Sequence, residues 1–132
     1  MSRRMSVSMT LDAVRNQTKT VTRRHADTWK HLRPGDRLTL IEKGMGLPKG
    51  AKQVVVCDVE ITSVAVEPLA MVLIEDGACA AEGLPAMSPE DFVAFWLKGH
   101  KHKVTDDATQ VLCRRIEWRY LTELAREGSE RT

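Results

Sequence analysis

Short alternating patterns predict the strands of this chain. Arg4–Met9 and Arg37–Glu42 alternate polar and apolar residues, which is typical of strands with one buried face. Gln53–Glu67 is rich in β-branched residues, and it is long enough either to bend round a barrel or to split at Thr62–Ser63. Thr109–Leu121 alternates again, and we expect it to close the sheet.

Helices are predicted between these strands. Thr10 stands in the position of an N-cap for a helix over Leu11–Gln17. Pro68–Gly83 is predicted to be helical, with a break at Gly77. Ser88–Gly99 starts with a capping serine followed by a proline, which favours the first turn of a helix.

Three aromatic residues of the last helix share one face. Phe92, Phe95 and Trp96 fall at positions i, i+3 and i+4, the spacing of a core-facing stripe. The alternative is that these rings stack on nucleic-acid bases. At helical spacing the core interpretation is the preferred one.

The most unusual stretch is NQTKTVTRRH, Asn16–His25. It holds one lysine, three threonines and two adjacent arginines around a single apolar side chain, and we expect Lys19–Arg24 to be extended. Residues 1–37 carry nine Lys or Arg against three Asp, whereas the net charge of the whole chain is +2. This positive excess favours an anionic or phosphate-bearing partner. The alternative is a solvated basic face with no function.

Length and composition indicate one globular domain. The 132 residues are 42% apolar and 29% charged, close to globular averages, so we expect a single core over residues 4–120 and a polar tail over 121–132. The longest apolar run, Leu69–Ile74, is far shorter than the roughly 20 residues that cross a bilayer. The first residues lack the apolar region of a secretory signal. We therefore expect a cytoplasmic protein that has no membrane partner. The sequence leaves the oligomeric state open, and a monomer is the favoured state.

Cysteine and histidine spacing gives no sign of a cofactor. The three cysteines are widely spaced and form no C-x-x-C pair, so we expect no disulfide framework. None of the four histidines stands at a zinc-type spacing from a cysteine. The sequence therefore predicts neither a metal nor another cofactor.

Several motifs, in order, resemble the ASCH (activating signal cointegrator homology) domain. KTVTRR at Lys19–Arg24 resembles the K-T-x-T-x-R motif of that family, and LRPGDRLTL at Leu32–Leu40 and AAEGL at Ala80–Leu84 follow in the expected order. The matching elements run over Met5–Trp118, and similar short proteins are common in phages and bacteria. The resemblance implies an α+β fold, a small PUA-like β-barrel flanked by helices, with a cleft that meets RNA or a modified nucleoside.

The same resemblance implies a set of site residues. One bacterial ASCH branch hydrolyses the acetyl amide of N4-acetylcytidine, and its catalytic lysine, threonine and glutamate fall on Lys19, Thr22 and Glu82. The arginine of the motif falls on Arg24. This chain departs from that branch in its longer 43–52 loop, its C-terminal tail and the Asn16–Thr18 segment, where a glycine usually precedes the lysine. These differences concern the substrate more than the fold.

These residue types fit amide hydrolysis. Thr22 can act as the nucleophile if Lys19 accepts its proton, which requires burial or nearby arginines to lower the pKa of the lysine. Glu82 would return a proton to the leaving group, or hold a water. Arg24 would orient the substrate or stabilise developing negative charge.

The neighbouring motif residues Thr20 and Arg23 are further candidates for binding substrate or RNA. In a regular strand Lys19 and Thr22 would point to opposite faces, so we expect the chain to bend between the first helix and the motif. Each residue also has an ordinary structural explanation. Lys19 can sit near a helix C-terminus, the threonines can be plain strand formers, and Glu82 can pair with a surface arginine.

Four functions remain open from the sequence. The leading hypothesis is an ASCH-type protein that binds RNA or a modified nucleoside and hydrolyses the amide of an acylated cytidine. The alternatives are a non-catalytic RNA-binding module, a ribonuclease and a protein-interaction domain. The ribonuclease has the least support, because the sequence has no histidine pair at a suitable spacing. The position of Glu82 relative to Lys19 and Thr22 distinguishes the enzyme from the binding module best.

Overall fold

The structure, a computed structural model, describes residues 3–43 and 49–121. Five strands form one sheet: β1 Arg3–Ser6, β2 Val21–His25, β3 Arg37–Ile41, β4 Val55–Pro68 and β5 Leu112–Tyr120. The spatial order is β1-β3-β4-β5-β2, with β1 parallel to β3 and every other pair antiparallel. In the described part of the chain, three α-helices accompany the sheet: α1 Leu11–Arg15, α2 Ala78–Ala81 and α3 Pro89–Gly99. None of the helices in the described residues is long and apolar enough to cross a membrane.

The sheet is a curled half-barrel, and the α+β class is confirmed. Its edge strands β1 and β2 are not paired with each other, so the described strands do not form a closed barrel. β4 is one continuous strand and does not split at Thr62–Ser63, but its register against β5 shifts between Ile61 and Ser63. A bulge of this kind bends the strand and increases its local twist. β4 pairs with β3 over Val55–Glu60 and with β5 over Val59–Pro68.

Two apolar clusters lie on the two sides of the sheet. The inner cluster fills the half-barrel with side chains from β1, α1, β3, β4 and β5, including Leu38, Ile61 and Trp118. The outer cluster packs α2 and α3 against the end of β5, where Cys113 is buried. β5 therefore has buried residues on both faces, unlike a strand with one face in water.

Several elements are shorter than the sequence pattern predicts. β1 ends at Ser6 instead of Met9, because the chain turns into a 3-10 helix over Ser8–Thr10. Thr10 is the N-cap residue of α1, as predicted, but its side chain makes no capping hydrogen bond. α1 ends at Arg15 because Gln17 adopts a left-handed φ of 64°.

The predicted helix over Pro68–Gly83 is mostly wrong. A 3-10 helix over Leu69–Leu73 and the single turn of α2 replace it, and Gly77 with a φ of 70° separates them, so the predicted break is confirmed. Helices this short depend on tertiary packing, because nucleation of an isolated turn is unfavourable. Residues 44–48 of the predicted loop and 122–132 of the predicted tail lie outside the described residues.

α3 begins as predicted. The Ser88 side chain accepts a hydrogen bond from the Asp91 amide at 3.1 Å, and Pro89 is the first helical residue. Phe92 and Trp96 are buried, but Phe95 is 40% exposed, so the prediction of a three-residue core stripe is wrong for Phe95. Its ring lies at the edge of the stripe and lines the cavity described below.

Candidate functional site

A cavity of about 380 Å³ lies at the open side of the half-barrel. One wall is Ser6–Thr10, which starts at the last residue of edge strand β1, and the opposite wall comes from β2 and from Lys19, two residues before it. The Arg24 guanidinium crosses the gap between these edges, where Nη2 donates to the carbonyl oxygen of Ser6 at 2.9 Å. The rest of the lining comes from the segment after α2 and from the cavity-facing side of α3: Glu82, Leu84, Phe92, Phe95, Trp96, Gly99 and His100.

The backbone holds Lys19 at a bend, as the alternation argument required. Both Thr18 and Lys19 donate their backbone N–H to the carbonyl oxygen of Ala13, at 2.9 and 3.1 Å. The Lys19 carbonyl accepts hydrogen bonds from Trp118 Nε1 at 3.0 Å and from the Tyr120 hydroxyl at 2.6 Å. Because β2 begins only after this bend, strand alternation does not apply to Lys19, and its side chain reaches the same cavity as that of Thr22.

The Lys19 ammonium is buried beside Glu82. Its Nζ donates to the backbone oxygen of Glu82 at 2.6 Å and lies 3.6 Å from the carboxylate oxygen Oε1. Burial lowers the pKa of Lys19 to about 8, against the opposing effect of Glu82 and with help from the positive charges of Arg24 and Arg23. Proton transfer from Thr22 to Lys19 requires a lysine with a lowered pKa, and Lys19 has one.

Glu82 follows α2 and is 4% exposed. Its Oε2 accepts a hydrogen bond from Arg23 Nη1 at 2.8 Å. Burial raises the pKa of Glu82, and the nearby cations Lys19 and Arg23 oppose that rise. The next residue, Gly83, has a φ of +89°, and a Cβ there would lie 2.9 Å from the Cβ of Ala13. Glycine therefore allows the Glu82 segment to pack directly on α1.

The Arg23 side chain is occupied by protein carboxylates. Its guanidinium is fully buried and pairs with Glu82 at 2.8 Å, Glu75 at 2.8 Å and Glu67 at 3.3 Å. Glu75 also pairs with Arg115 at 3.1 Å, so the network extends to β5. Arg23 contacts the cavity, but this arrangement fixes the Glu82 carboxylate rather than leaving the guanidinium open to a ligand.

Thr22 and Arg24 meet inside the cavity. The Thr22 hydroxyl is buried and accepts a hydrogen bond from Arg24 Nε at 3.1 Å. Within residues 3–43 and 49–121, no acceptor takes the proton of this hydroxyl, and no carboxylate lies within salt-bridge distance of Arg24. Thr20 is not among the lining residues, and its backbone bonds to Ala81 and Trp118 instead.

Sequence reasoning missed four polar residues of the cavity: Ser6, Ser8, Thr10 and His100. The His100 Nδ1 lies 2.8 Å from the carbonyl oxygen of Trp96, and the imidazole stacks on that indole with centroids 3.8 Å apart and planes 15° from parallel. Trp96 Nε1 in turn donates to the carbonyl oxygen of Arg23 at 2.9 Å. The signal was present, because His100 follows Trp96 by four residues, the spacing of neighbours on one helical face.

The described residues contain no group of three or more His, Cys, Asp or Glu side chains that could hold a metal ion. What the cavity offers instead is a buried ammonium, a hydroxyl, a carboxylate, an imidazole and an apolar wall. Such a set fits proton transfer and the binding of a flat, partly polar molecule.

Comparison with known proteins identifies the fold alone. No family model matches this chain, and no curated protein matches it. The fold resembles the crystal structure of protein EF3133 from Enterococcus faecalis V583, which carries the family designation DUF984, with a TM-score of 0.57 and 14% sequence identity. The match covers 83% of this chain and 68% of that chain. The resemblance to the ASCH domain stays a prediction from the sequence motifs.

Proposed function

We propose that this protein is an ASCH-type amidohydrolase, whose half-barrel is a variant of the PUA-like barrel and whose cavity binds a modified nucleoside. The sharpest form of the proposal is hydrolysis of the acetyl amide of N4-acetylcytidine. The single observation that carries it is that Lys19, Thr22 and Glu82, which are distant in sequence, line one cavity. Those are the residues onto which the motif resemblance places the catalytic groups.

The proposed reaction begins with proton transfer from Thr22 to Lys19. With a pKa of about 8, the buried amine is neutral in roughly a tenth of the molecules at pH 7 and can accept a proton. Thr22 Oγ1 then forms a bond to the carbonyl carbon of the amide. The π electrons of the C=O bond move to the carbonyl oxygen, which becomes an oxyanion. Arg24, which donates to Thr22 Oγ1, would stabilise that oxyanion.

Glu82 completes the cycle. Burial raises its pKa, which favours the protonated form that can give a proton to the departing N4 amine. The C–N bond breaks, cytidine leaves and the acetyl group stays on Thr22 as an ester. Water activated by Glu82 or Lys19 then releases acetate and restores the hydroxyl. Arg23 acts as a positioning residue, because it holds the Glu82 carboxylate.

The shape and lining of the cavity fit a single nucleoside. Its volume of about 380 Å³ lies near the lower end of the roughly 300–1,000 Å³ that small-molecule pockets span. Phe95, Trp96 and Met9 offer an apolar wall for a pyrimidine ring, and Phe95 and Met9 are exposed at 40% and 71%.

The test is release of acetate and cytidine from N4-acetylcytidine, followed by mass spectrometry. Lys19→Ala and Thr22→Ala should each lower kcat by at least about a hundredfold, the usual effect of losing an acid–base group or a nucleophile. Lys30→Ala and Thr62→Ala are matched controls, because both residues are exposed and neither lines the cavity. Unchanged turnover in both cavity variants would contradict the mechanism.

A second candidate function is non-catalytic RNA binding. The positive excess of residues 1–37 includes the exposed side chains of Arg3, Arg4, Arg15, Arg33 and Arg37. If they contact phosphates, affinity for a single-stranded oligonucleotide should fall steeply with salt, with a slope of about −0.7 per contact. Affinity that ignores salt contradicts this candidate. Shortening of the same RNA without added metal would instead support the ribonuclease alternative.

A further inference from the structure

His100 stands at the C-terminal end of α3, where its imidazole lines the cavity. The contact between Nδ1 and the Trp96 carbonyl oxygen fixes the position of one proton. A carbonyl oxygen can only accept, so Nδ1 must carry the hydrogen of this 2.8 Å bond. Stacking on the Trp96 indole fixes the plane of the ring as well. The edge that carries Nε2 is then the one left for a ligand.

A neutral imidazole with its proton on Nδ1 has a lone pair on Nε2. In the part of the chain that the structure describes, Nε2 has no hydrogen-bond partner. Burial lowers the pKa of His100 against the opposing hydrogen bond to Trp96, and electrostatic interaction with Arg24, His25 and His102 lowers it further. These groups surround the ring from β2 and from the segment after α3, and they favour the neutral form at neutral pH.

The charged groups of the cavity leave few free acceptors for a ligand. Lys19 and Arg24 only donate, and the Glu82 carboxylate already accepts from Arg23 and lies beside Lys19. The lining hydroxyls can accept as well as donate, but a rotating hydroxyl fixes no direction for a ligand. A nucleoside carries its own donors, the ribose hydroxyls, and an acylated cytosine adds an amide N–H, so a ring nitrogen with a fixed lone pair suits such a ligand.

We propose that His100 Nε2 is this acceptor and receives an O–H or N–H of the bound nucleoside, which makes His100 a specificity-determining residue. The inference deepens the proposed function and rests on it. It predicts that the protein recognises a donor group at a fixed place against the Trp96–His100 stack. Removing the donor group from the ligand and removing Nε2 from the protein should therefore weaken binding by a similar factor, because each removes the same hydrogen bond.

The first experiment measures the tautomer of His100 by ¹⁵N NMR of the free protein at pH 7. The expected spectrum has a protonated Nδ1 and an unprotonated Nε2, and the Nε2 resonance should shift when cytidine, the proposed product, is added. A protonated Nε2 overturns the inference. An unprotonated Nε2 that does not respond to cytidine also overturns it, because the acceptor would then have no nucleoside partner.

The second experiment compares two variants of His100. Asparagine can keep a donor near the Nδ1 position but has no atom near Nε2, whereas the longer glutamine can place its amide oxygen there. KM for N4-acetylcytidine should rise about five- to tenfold in His100→Asn with kcat nearly unchanged, as for one lost neutral hydrogen bond, and His100→Gln should recover most of it. Equal KM values in the wild type and His100→Asn would overturn the inference.

Two ligands identify the donor. If Nε2 accepts from the sugar, N4-acetyl-2′-deoxycytidine or free N4-acetylcytosine should bind the wild type as weakly as His100→Asn binds N4-acetylcytidine. If Nε2 accepts from the amide N–H, each of the two ligands should still bind the wild type more tightly than it binds His100→Asn. The KM of the wild type should also rise more steeply than that of His100→Gln as pH falls below the lowered pKa of His100, because Lys19 and Glu82 titrate in both proteins. A complete absence of turnover with a normal tautomer and a normal cytidine shift would contradict the proposed reaction but not this acceptor.

Discussion

Arg23→Met removes the buried cation that three carboxylates share. The side chains of Glu67 and Glu75 are 18% and 25% exposed and can regain water, but the Glu82 side chain is only 5% exposed. The cost of the substitution therefore falls mainly on Glu82, which loses its 2.8 Å partner and keeps Lys19, 3.6 Å away, as its remaining ion-pair partner among the described residues. Removing one member of a buried ion pair typically costs about 3–5 kcal/mol, and we expect a loss of unfolding free energy in that range.

Urea unfolding, followed by tryptophan fluorescence, measures this loss. The matched control is Arg119→Met, because Arg119 is 60% exposed and its pair with Glu60 at 2.6 Å lies at the surface. We expect that control to lose about 1 kcal/mol or less. A loss below about 1 kcal/mol in Arg23→Met as well would refute the reasoning that the buried charge of Glu82 depends on Arg23.

A double variant separates the charge from the packing. In Arg23→Met combined with Glu82→Gln, the uncompensated carboxylate is gone, so the double variant should be more stable than Arg23→Met alone by at least about 1 kcal/mol. The cost should also shrink toward acid pH. Burial already raises the pKa of Glu82, and losing Arg23 raises it further, so protonation above pH 4.5 relieves the penalty. Equal stability of the single and double variants would assign the loss to packing.

Three further predictions concern Lys19, Gly83 and Ser88. Since the folded pKa of Lys19 is about 8 and its ordinary value is 10.5, unfolding free energy should rise between these pH values relative to Lys19→Met; a constant difference contradicts this. Gly83→Ala should cost at least about 2 kcal/mol by urea unfolding, from its positive φ and its contact with Ala13, and more than Gly50→Ala, where φ is +84° but no atom lies within 4 Å. Ser88→Ala should cost about 1 kcal/mol by the same method, as for a lost helix cap; a loss near zero contradicts it.

Elements with a local signal can be predicted from the sequence alone. Alternation of polar and apolar residues predicted β1, β3 and β5, because successive side chains of a strand point to opposite faces. The β-branched residues predicted β4, and a serine followed by proline predicted the start of α3. Four residues of the motif at Lys19–Arg24 line the cavity: Lys19, Thr22, Arg23 and Arg24. The region 68–83 was predicted wrongly, because packing against α3 overrides the helical propensity of its residues.

Which polar side chains come into contact depends on the three-dimensional fold. The bend at Gln17 brings Lys19 to the same cavity as Thr22, and the glycine after Glu82 lets that segment pack on α1. Contacts such as Arg23 with Glu82 and His100 with the cavity join residues far apart in the chain. The energies of these contacts depend on burial and on distances of a few ångströms, and no local sequence pattern encodes either. The hydrogen-bond partners and pKa shifts of the cavity side chains can therefore be read only from the fold.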